Sequence, residues 1–340
     1  MNSRWTMSLR PERARDLLAA FPRQRILVIG DLMLDRYIYG SVHRISPEAP
    51  VPVVSVTREK SMPGGASNTA WNIQSLGGKT VIGGMLGKDA AGADLKAVLA
   101  GGGVGLEGLL ELEGLRTTVK TRIIAERQQV VRVDWDDHVT VGEPTAKTFC
   151  GLIEREARRA TGIIIEDYGK GVVRQAVVDV ALKVARESGI PVGMDPKESQ
   201  ELDVRGITLA TPNRREAFHL AGAPETRPQA HPLEDQALLD VSERLLEKWR
   251  AAQILVTLGP QGMLLRGRAG ELHHVPTRAR EVFDVSGAGD TVIATCVLAL
   301  AAGATPIEAA ELANYAAGVV VGKLGTATCT PEELLAHMGK

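Results

Sequence analysis

The chain has 340 residues, with 40 Lys and Arg against 41 Asp and Glu, so its formal net charge is −1. With no long Lys/Arg block interleaved with aromatics, that balance excludes the basic footprint of a nucleic-acid-binding protein, and the length suits one large α/β core with a small appendage. Cys150, Cys296 and Cys329 are odd in number and far apart, which excludes a disulfide framework or a zinc site and fits reduced thiols in a cytoplasmic protein.

Residues 1–25 carry charges throughout and lack a continuous apolar segment, so neither a signal peptide nor a membrane span is expected. Arg25-Ile-Leu-Val-Ile-Gly30 is a short apolar run ending in Gly and Asp, as a buried parallel strand does. Gly30-Asp-Leu-Met-Leu-Asp35 then sets two carboxylates, Asp31 and Asp35, at the end of that strand. Residues 37–57 and 116–135 alternate apolar and polar side chains without an intervening helix, the pattern of half-exposed antiparallel strands. They are expected to form a small sheet inserted into a single domain of residues 1–340, with Val51-Pro-Val-Val-Ser-Val56 giving it an apolar face to bury. Between them, Pro63-Gly-Gly-Ala-Ser-Asn68 supplies a bare backbone turn and an amide at a helix start. Such acceptors and donors hold polyols, although Asp31 reads equally as a strand-end turn and Asn68 as a helix cap.

Two glycine-rich strings mislead. Gly103-Val-Gly-Leu-Glu-Gly108 fits a dinucleotide fingerprint but follows a helical stretch and leads into a strand, the reverse of the required order. Gly78-Lys79-Thr80 resembles the end of a P-loop, yet the position five before Gly78 is Ile73 and a strand follows, so it ends a helix with a turn.

Further on, Val- and Ile-rich strands at 163–167, 190–195, 206–210 and 254–258 alternate with helices near 174–188, 213–221 and 233–250. This is a doubly wound α/β sheet, which binds ligands beyond the carboxyl ends of its strands, where Asp31, Asp167, Asp195 and Thr211 would gather. Asn213 and Glu216, three apart, make a capping-box variant. His273 and His274 point to opposite faces of a strand and read as surface or packing residues. Asp284-Val-Ser-Gly-Ala-Gly-Asp-Thr291 lies between an extended stretch, 273–282, and an apolar helix, 292–302. Gly287 and Gly289 leave backbone amides bare beside a helix N-terminus, which makes a phosphate cradle. Asp290 sits in the first turn beside it, where a carboxylate takes the proton of a hydroxyl attacking phosphorus.

This last segment resembles the C-terminal signature of the ribokinase-like (phosphofructokinase B) carbohydrate kinases. The resemblance implies a ribokinase-like α/β sheet flanked by helices, with the small sheet as a lid over the sugar and, in several members, as a homodimer interface. It implies ATP and Mg²⁺ as cofactors, with Asp290 as catalytic base and the amides of Gly287, Ala288 and Gly289 as the anion hole. On the substrate side it assigns Asp31, Asp35, Gly64, Gly65 and Asn68 to the sugar hydroxyls. Asn213 and Glu216 would organise magnesium and its waters. Thr257-Leu-Gly-Pro-Gln-Gly262, through Thr257, Gly259 and Gly262, would line the nucleotide groove with Asn314 near the adenine, and Asp284 and Ser286 sit where several members bind K⁺.

Within the family, the segments 30–37, 44–54, 127–134, 167–171 and 195–197 are similar to those of its heptose 7-phosphate kinases, over residues 25–330. That similarity implies phosphorylation of the anomeric hydroxyl of D-glycero-β-D-manno-heptose 7-phosphate on the route to ADP-heptose of the lipopolysaccharide inner core. In many bacteria the kinase is fused to a nucleotidyltransferase. The chain ends soon after the helical stretch 331–338, so a stand-alone kinase is expected. A phosphorylated substrate needs a fixed cation at its far end. Lys170 and Lys197, with Asp195 beside them at the sheet edge, are the first candidates, and Arg44, Arg122 and Arg132 are alternatives. Another sugar kinase of this fold stays open, as does a non-catalytic sugar-binding scaffold. The intact Asp290, Gly287, Gly289, Asn213 and Glu216 argue against the scaffold.

Overall fold

The computed structural model describes residues 9–126, 128–198 and 201–339; Arg127 and the first eight residues, used in the sequence reading, lie outside them. The strands are β1 (Arg25–Gly30), β2 (Leu32–Ile45), β3 (Pro52–Gly65), β4 (Lys79–Gly87), β5 (Gly105–Leu112), β6 (Thr118–Ala125), β7 (Gln128–Trp135), β8 (Gly162–Glu166), β9 (Val192–Asp195), β10 (Leu209–Ala210), β11 (Gln253–Thr257), β12 (Met263–Gly267) and β13 (Leu272–Val275). The helices are α1 (Pro11–Ala20), α2 (Ala66–Ser75), α3 (Ala90–Gly101), α4 (Glu143–Ala157), α5 (Gln175–Ser188), α6 (Arg214–Leu220), α7 (Gln236–Lys248), α8 (Ala288–Ala301), α9 (Pro306–Val320) and α10 (Pro331–Met338).

A nine-stranded sheet runs β13-β12-β11-β10-β9-β8-β1-β4-β5. It is parallel from β11 to β5, and only the β11/β12 and β12/β13 pairings are antiparallel. Alternate side chains of β1 enter opposite cores, as in any strand covered on both faces. Leu27 and Ile29 pack with α4, α5, α6 and α7, whereas Ile26 and Val28 pack with α1, α2, α3, α8, α9 and α10. From β1 the chain builds outward through β4 and β5, and later from β8 in the other direction. The β1/β8 boundary is therefore a topological switch point, the place where such sheets bind ligands.

The smaller sheet has the order β3-β2-β6-β7, with β2 and β6 parallel and the outer pairs antiparallel. Its strands are longer than the expected 37–57 segment, because β2 starts at Leu32, directly after Asp31, and β3 runs to Gly65. At this root both faces are covered: Leu32, Met33, Leu34 and Asp35 are all buried, so the alternation that reveals a half-exposed strand is missing there. Two other expectations shorten. Strand 206–210 reduces to Leu209–Ala210, since Gly206 turns the chain at φ 94°, and the extended stretch 273–282 pairs only as far as Val275, because Pro276 has no amide to give.

Helix α8 is apolar and buried over Asp290–Ala299, which carries Asp290 into the interior. The three cysteines are unpaired, with Cys296 and Cys329 buried. Among the described residues no helix is long and apolar enough to cross a membrane.

Candidate active site

The carboxyl ends of β1 and β8 bring Asp31 and the segment Glu166–Val172 together. Asp31 is 1% exposed. Its Oδ2 accepts the amides of Tyr168 (2.9 Å) and Lys170 (3.0 Å), and its Oδ1 accepts that of Val172 (3.1 Å). Asp31 is expected to hold sugar hydroxyls; in the structure its carboxylate also folds the 167–172 loop through these three bonds. Asp35, four residues on and also buried, takes the open side instead, with Oδ1 2.7 Å from Arg122 Nη1. A Cβ at Gly64 would stand 2.9 Å from the Asp35 carboxyl, and at Gly65 (φ 56°) 2.6 Å from the Asp31 carbonyl oxygen. Glycine is thus required where β3 turns into α2 past both aspartates.

Asp290 lies in the first turn of α8, 7% exposed, with both oxygens engaged. Asn68 Nδ2 donates to Oδ2 at 2.6 Å, and the Tyr168 hydroxyl donates to Oδ1 at 2.6 Å. Helices α2 and α8 are pinned again where the next residue, Thr291, donates its Oγ1 to Oδ1 of Asn72, one turn of α2 beyond Asn68, at 2.8 Å. Asn68 Oδ1 is buried without a partner among the described residues, so it suits a ligand hydroxyl. Gly287 caps α8 at φ 77°, and a Cβ there would lie 2.6 Å from Asn68 Nδ2. In the expected cradle the Ser286 amide goes to Asp284 Oδ1 (2.9 Å) and the Ala288 amide to the Val285 carbonyl (3.2 Å). Among the described residues the amides of Gly287 and Gly289 take no acceptor, which leaves them open to an anion.

Burial raises the pKa of Asp290, against the hydrogen bonds of Tyr168 and Asn68, which favour its charged form. Burial also pushes Tyr168 well above the usual phenol value, helped by the Asp290 charge, so it stays a donor. Glu166, Asp195 and Asp290 have carboxylate oxygens within 4.8 Å of one another. Burial, then the neighbouring carboxylates, raise Glu166 well above the ordinary value, and Asp195 likewise, with Glu216 the first of its charged neighbours. Thr69 Oγ1 donates to Glu166 Oε1 at 2.7 Å, while Oε2 has no partner among the described residues. Sequence reasoning assigned no role to Tyr168, Glu166 or Thr69. Tyr168 lies in a quoted segment, but only the Asp31 clamp turns its hydroxyl onto Asp290.

On the nucleotide side, Thr257, Gly259, Gly262 and Asn314 line one cavity of about 370 Å³ with Ala288 and Gly289. Asn314 Nδ2 donates to the Pro276 carbonyl at 2.6 Å and so fixes one wall. Asn213 caps α6 in a full capping box with Glu216, and the Pro212 carbonyl accepts the Thr257 amide at 3.0 Å, which ties α6 to this wall. Lys197 Nζ stands 3.3 Å from Glu216 Oε1, so it belongs to this nucleotide-side group. Lys170 is paired with Asp136. Asp284 accepts the amides of Ser286 and Gly325 (3.0 Å); burial opposes its charge, but these bonds hold its pKa below the usual range. A larger open depression of about 630 Å³, at 112–115 and 136–145, contains none of the expected residues.

A buried carboxylate at a helix N-terminus, glycine amides and a groove beside them, at the switch point of a doubly wound sheet, make a candidate phosphotransferase site. The model of the pfkB family of carbohydrate kinases matches residues 23–333, and the chain belongs to that family. The chain is 45% identical over 326 residues to the bifunctional protein HldE of Caulobacter vibrioides, covering 94% of this chain and 65% of that protein. It is 41% identical over 313 residues to HldE of Geobacter sulfurreducens, covering 92% and 62%. The chain spans a little under two thirds of the length of these curated relatives. The structure of Arabidopsis thaliana ribokinase complexed with ribose and ATP aligns with a TM-score of 0.69 at 19% identity, over 93% of this chain and 99% of that one. Escherichia coli phosphofructokinase-2 in complex with potassium aligns at 0.73 and 21% identity, with the same coverage. Both share the large sheet flanked by helices.

Proposed function

We propose that the protein transfers the γ-phosphoryl group of ATP to the anomeric hydroxyl of D-glycero-β-D-manno-heptose 7-phosphate, giving the 1,7-bisphosphate and ADP. The observation that carries the phosphoryl-transfer reading is Asp290, held by Asn68 and Tyr168 at the N-terminus of α8. The choice of sugar is supported by the similarity of residues 25–330 to heptose 7-phosphate kinases and by the identity to the HldE proteins.

The reaction follows from these positions. ATP lies in the groove of Thr257, Gly259, Gly262 and Asn314, its terminal phosphate at Gly287 and Gly289. The sugar sits over Asp35, Gly64 and Asn68, with the smaller sheet as its lid. Asp290 takes the proton of the anomeric hydroxyl as that oxygen attacks phosphorus, and the glycine amides balance the charge on the transferring group. Magnesium, when bound with ATP, neutralises phosphate charge. Glu216 would hold it through water, with Asn213 organising the waters, since the Glu216 carboxylate is already bonded to the Asn213 amide and Lys197. A potassium ion at Asp284 and Ser286 would share oxygens that already accept two amides.

A coupled ADP-release assay over sugars and sugar phosphates tests this reading, and turnover confined to another sugar would replace the heptose. The smaller sheet exposes Ile45, Val56, Val131 and Trp135, so a homodimer through the lid belongs to the same proposal. Light scattering showing a monomer at micromolar concentration would remove it.

A further inference from the structure

The cations around the acceptor side are largely spoken for. Lys170 is paired with Asp136, Lys197 with Glu216, Arg122 with Asp35 and Arg132 with Asp134. Arg44 is exposed, towards the far end of β2. Lys120 differs from all of these. It lies on β6 at the root of the smaller sheet, opposite Asp35 of β2 and Asp134 of β7 in the strand register. It is half-buried, and its ammonium makes no hydrogen bond or ion pair among the described residues.

The face it occupies is the one turned to the reaction. Residues two apart on a strand share a face, so Lys120 and Arg122 stand together, as do Asp35 and Tyr37 on the adjacent strand. Arg122 bonds Asp35 and lies over the Tyr37 ring at 5.2 Å. Tyr37 packs under Gly325, where an added Cβ would come within 3.4 Å of its hydroxyl, and the Gly325 amide is bound by Asp284 of the catalytic loop. Across β2, β6 and β7 this face holds three cations, Lys120, Arg122 and Arg132, against two carboxylates, Asp35 and Asp134, and each arginine already has its own carboxylate, while β3 adds only the exposed Lys60 opposite Tyr37 and Arg58 opposite Tyr39. Burial lowers the Lys120 pKa, opposed by Asp35 and Asp134, as happens to an ammonium short of counter-charge. Lys120 also acts on Asp290, favouring its charged form, so it is within electrostatic reach of the base.

We propose that Lys120 is the specificity-determining cation of the acceptor site, binding the phosphate that a sugar phosphate carries away from its reacting hydroxyl. The inference rests on the reading that the acceptor is a sugar phosphate, and it moves the anchor from Lys170 and Lys197, both occupied by carboxylates, to the root of the smaller sheet. An incoming phosphate would supply the missing counter-charge without breaking an ion pair, whereas recruiting Arg122 would strip Asp35 of its partner.

The test is steady-state kinetics on heptose and heptose 7-phosphate with the wild type, Lys120→Met and Lys120→Arg, each first checked for native melting temperature and ATP affinity. The wild type should prefer the phosphorylated sugar by at least about tenfold in kcat/KM, since a charge-assisted bond to phosphate carries at least that much. Lys120→Met should raise KM for heptose 7-phosphate at least about tenfold and draw the ratio of the two sugars towards one, and Lys120→Arg should restore most of it. A wild type with no preference overturns both the sugar-phosphate reading and the anchor. A wild type that prefers the phosphate, with Lys120→Met keeping that preference, overturns Lys120 alone. Equal loss of kcat on both sugars overturns it too, by placing the ammonium on the transferring group.

Discussion

The hydroxyl of Tyr168 donates to Oδ1 of Asp290 at 2.6 Å, across 122 residues of sequence. Its partner oxygen, Oδ2, is held at the same distance by Asn68. The Asp290 carboxylate is therefore aimed by one residue of the β8 loop and one of α2, and each hold has a separate consequence.

Asp290→Asn should leave the fold and ATP affinity nearly intact while lowering kcat at least about a hundredfold, because a positioned base commonly contributes 10²–10⁴. Single-turnover measurement of ADP formation checks it. Near wild-type turnover would remove Asp290 from the mechanism.

Tyr168→Phe should move the acidic limb of the kcat/KM profile to higher pH. The tyrosine hydrogen bond lowers the Asp290 pKa against the effect of burial, so its loss lets the pKa rise. Asp290 acts deprotonated, and the variant must then reach a higher pH for the same activity, with the deficit shrinking as pH increases. A profile reduced equally at every pH would instead mean that Tyr168 only shapes the site.

Gly287→Ala forces a side chain into φ 77° with its Cβ 2.6 Å from Asn68 Nδ2. The strain is about 1–2 kcal/mol, and displacement of the loop should lower kcat about a hundredfold or more, as loss of an oxyanion donor does. Gly289→Ala is the contrast. Its Cβ would meet nothing nearer than Asp195 Oδ2 at 4.0 Å, so thermal melting should show a normal fold, with any defect appearing in KM for ATP.

Asp31→Asn should cost stability rather than sugar affinity. Asn offers one acceptor oxygen where the carboxylate serves three amides, so at least one buried amide is left unpaired, for a loss of about 1–3 kcal/mol. Urea unfolding should show the deficit, and kcat should fall with it as Tyr168 loosens. Unchanged stability with a raised sugar KM would restore the sugar-binding role of Asp31.

What the sequence determined by itself is local. The apolar run of β1, the capping box Asn213–Glu216 and the glycine-framed Asp290 are readable because strand period, cap spacing and freedom at positive φ act over a few residues. The parallel sheet followed from the alternation of strand and helix, and the sheet edge from the residues that end each strand. The tertiary structure decided the division of labour between Asp31 and Asp35, two carboxylates that look alike in the chain. One is closed off by amides from a loop 137 to 141 residues away, and the other faces Gly64 and Arg122. It also decided that Tyr168 reaches Asp290, that Glu166 is buried beside Asp195 and Asp290, and that Lys120, half-buried at the root of the smaller sheet, lacks a carboxylate partner among the described residues. Such facts depend on which long-range neighbours consume each hydrogen bond and each charge, and no pattern along a single strand or loop contains them.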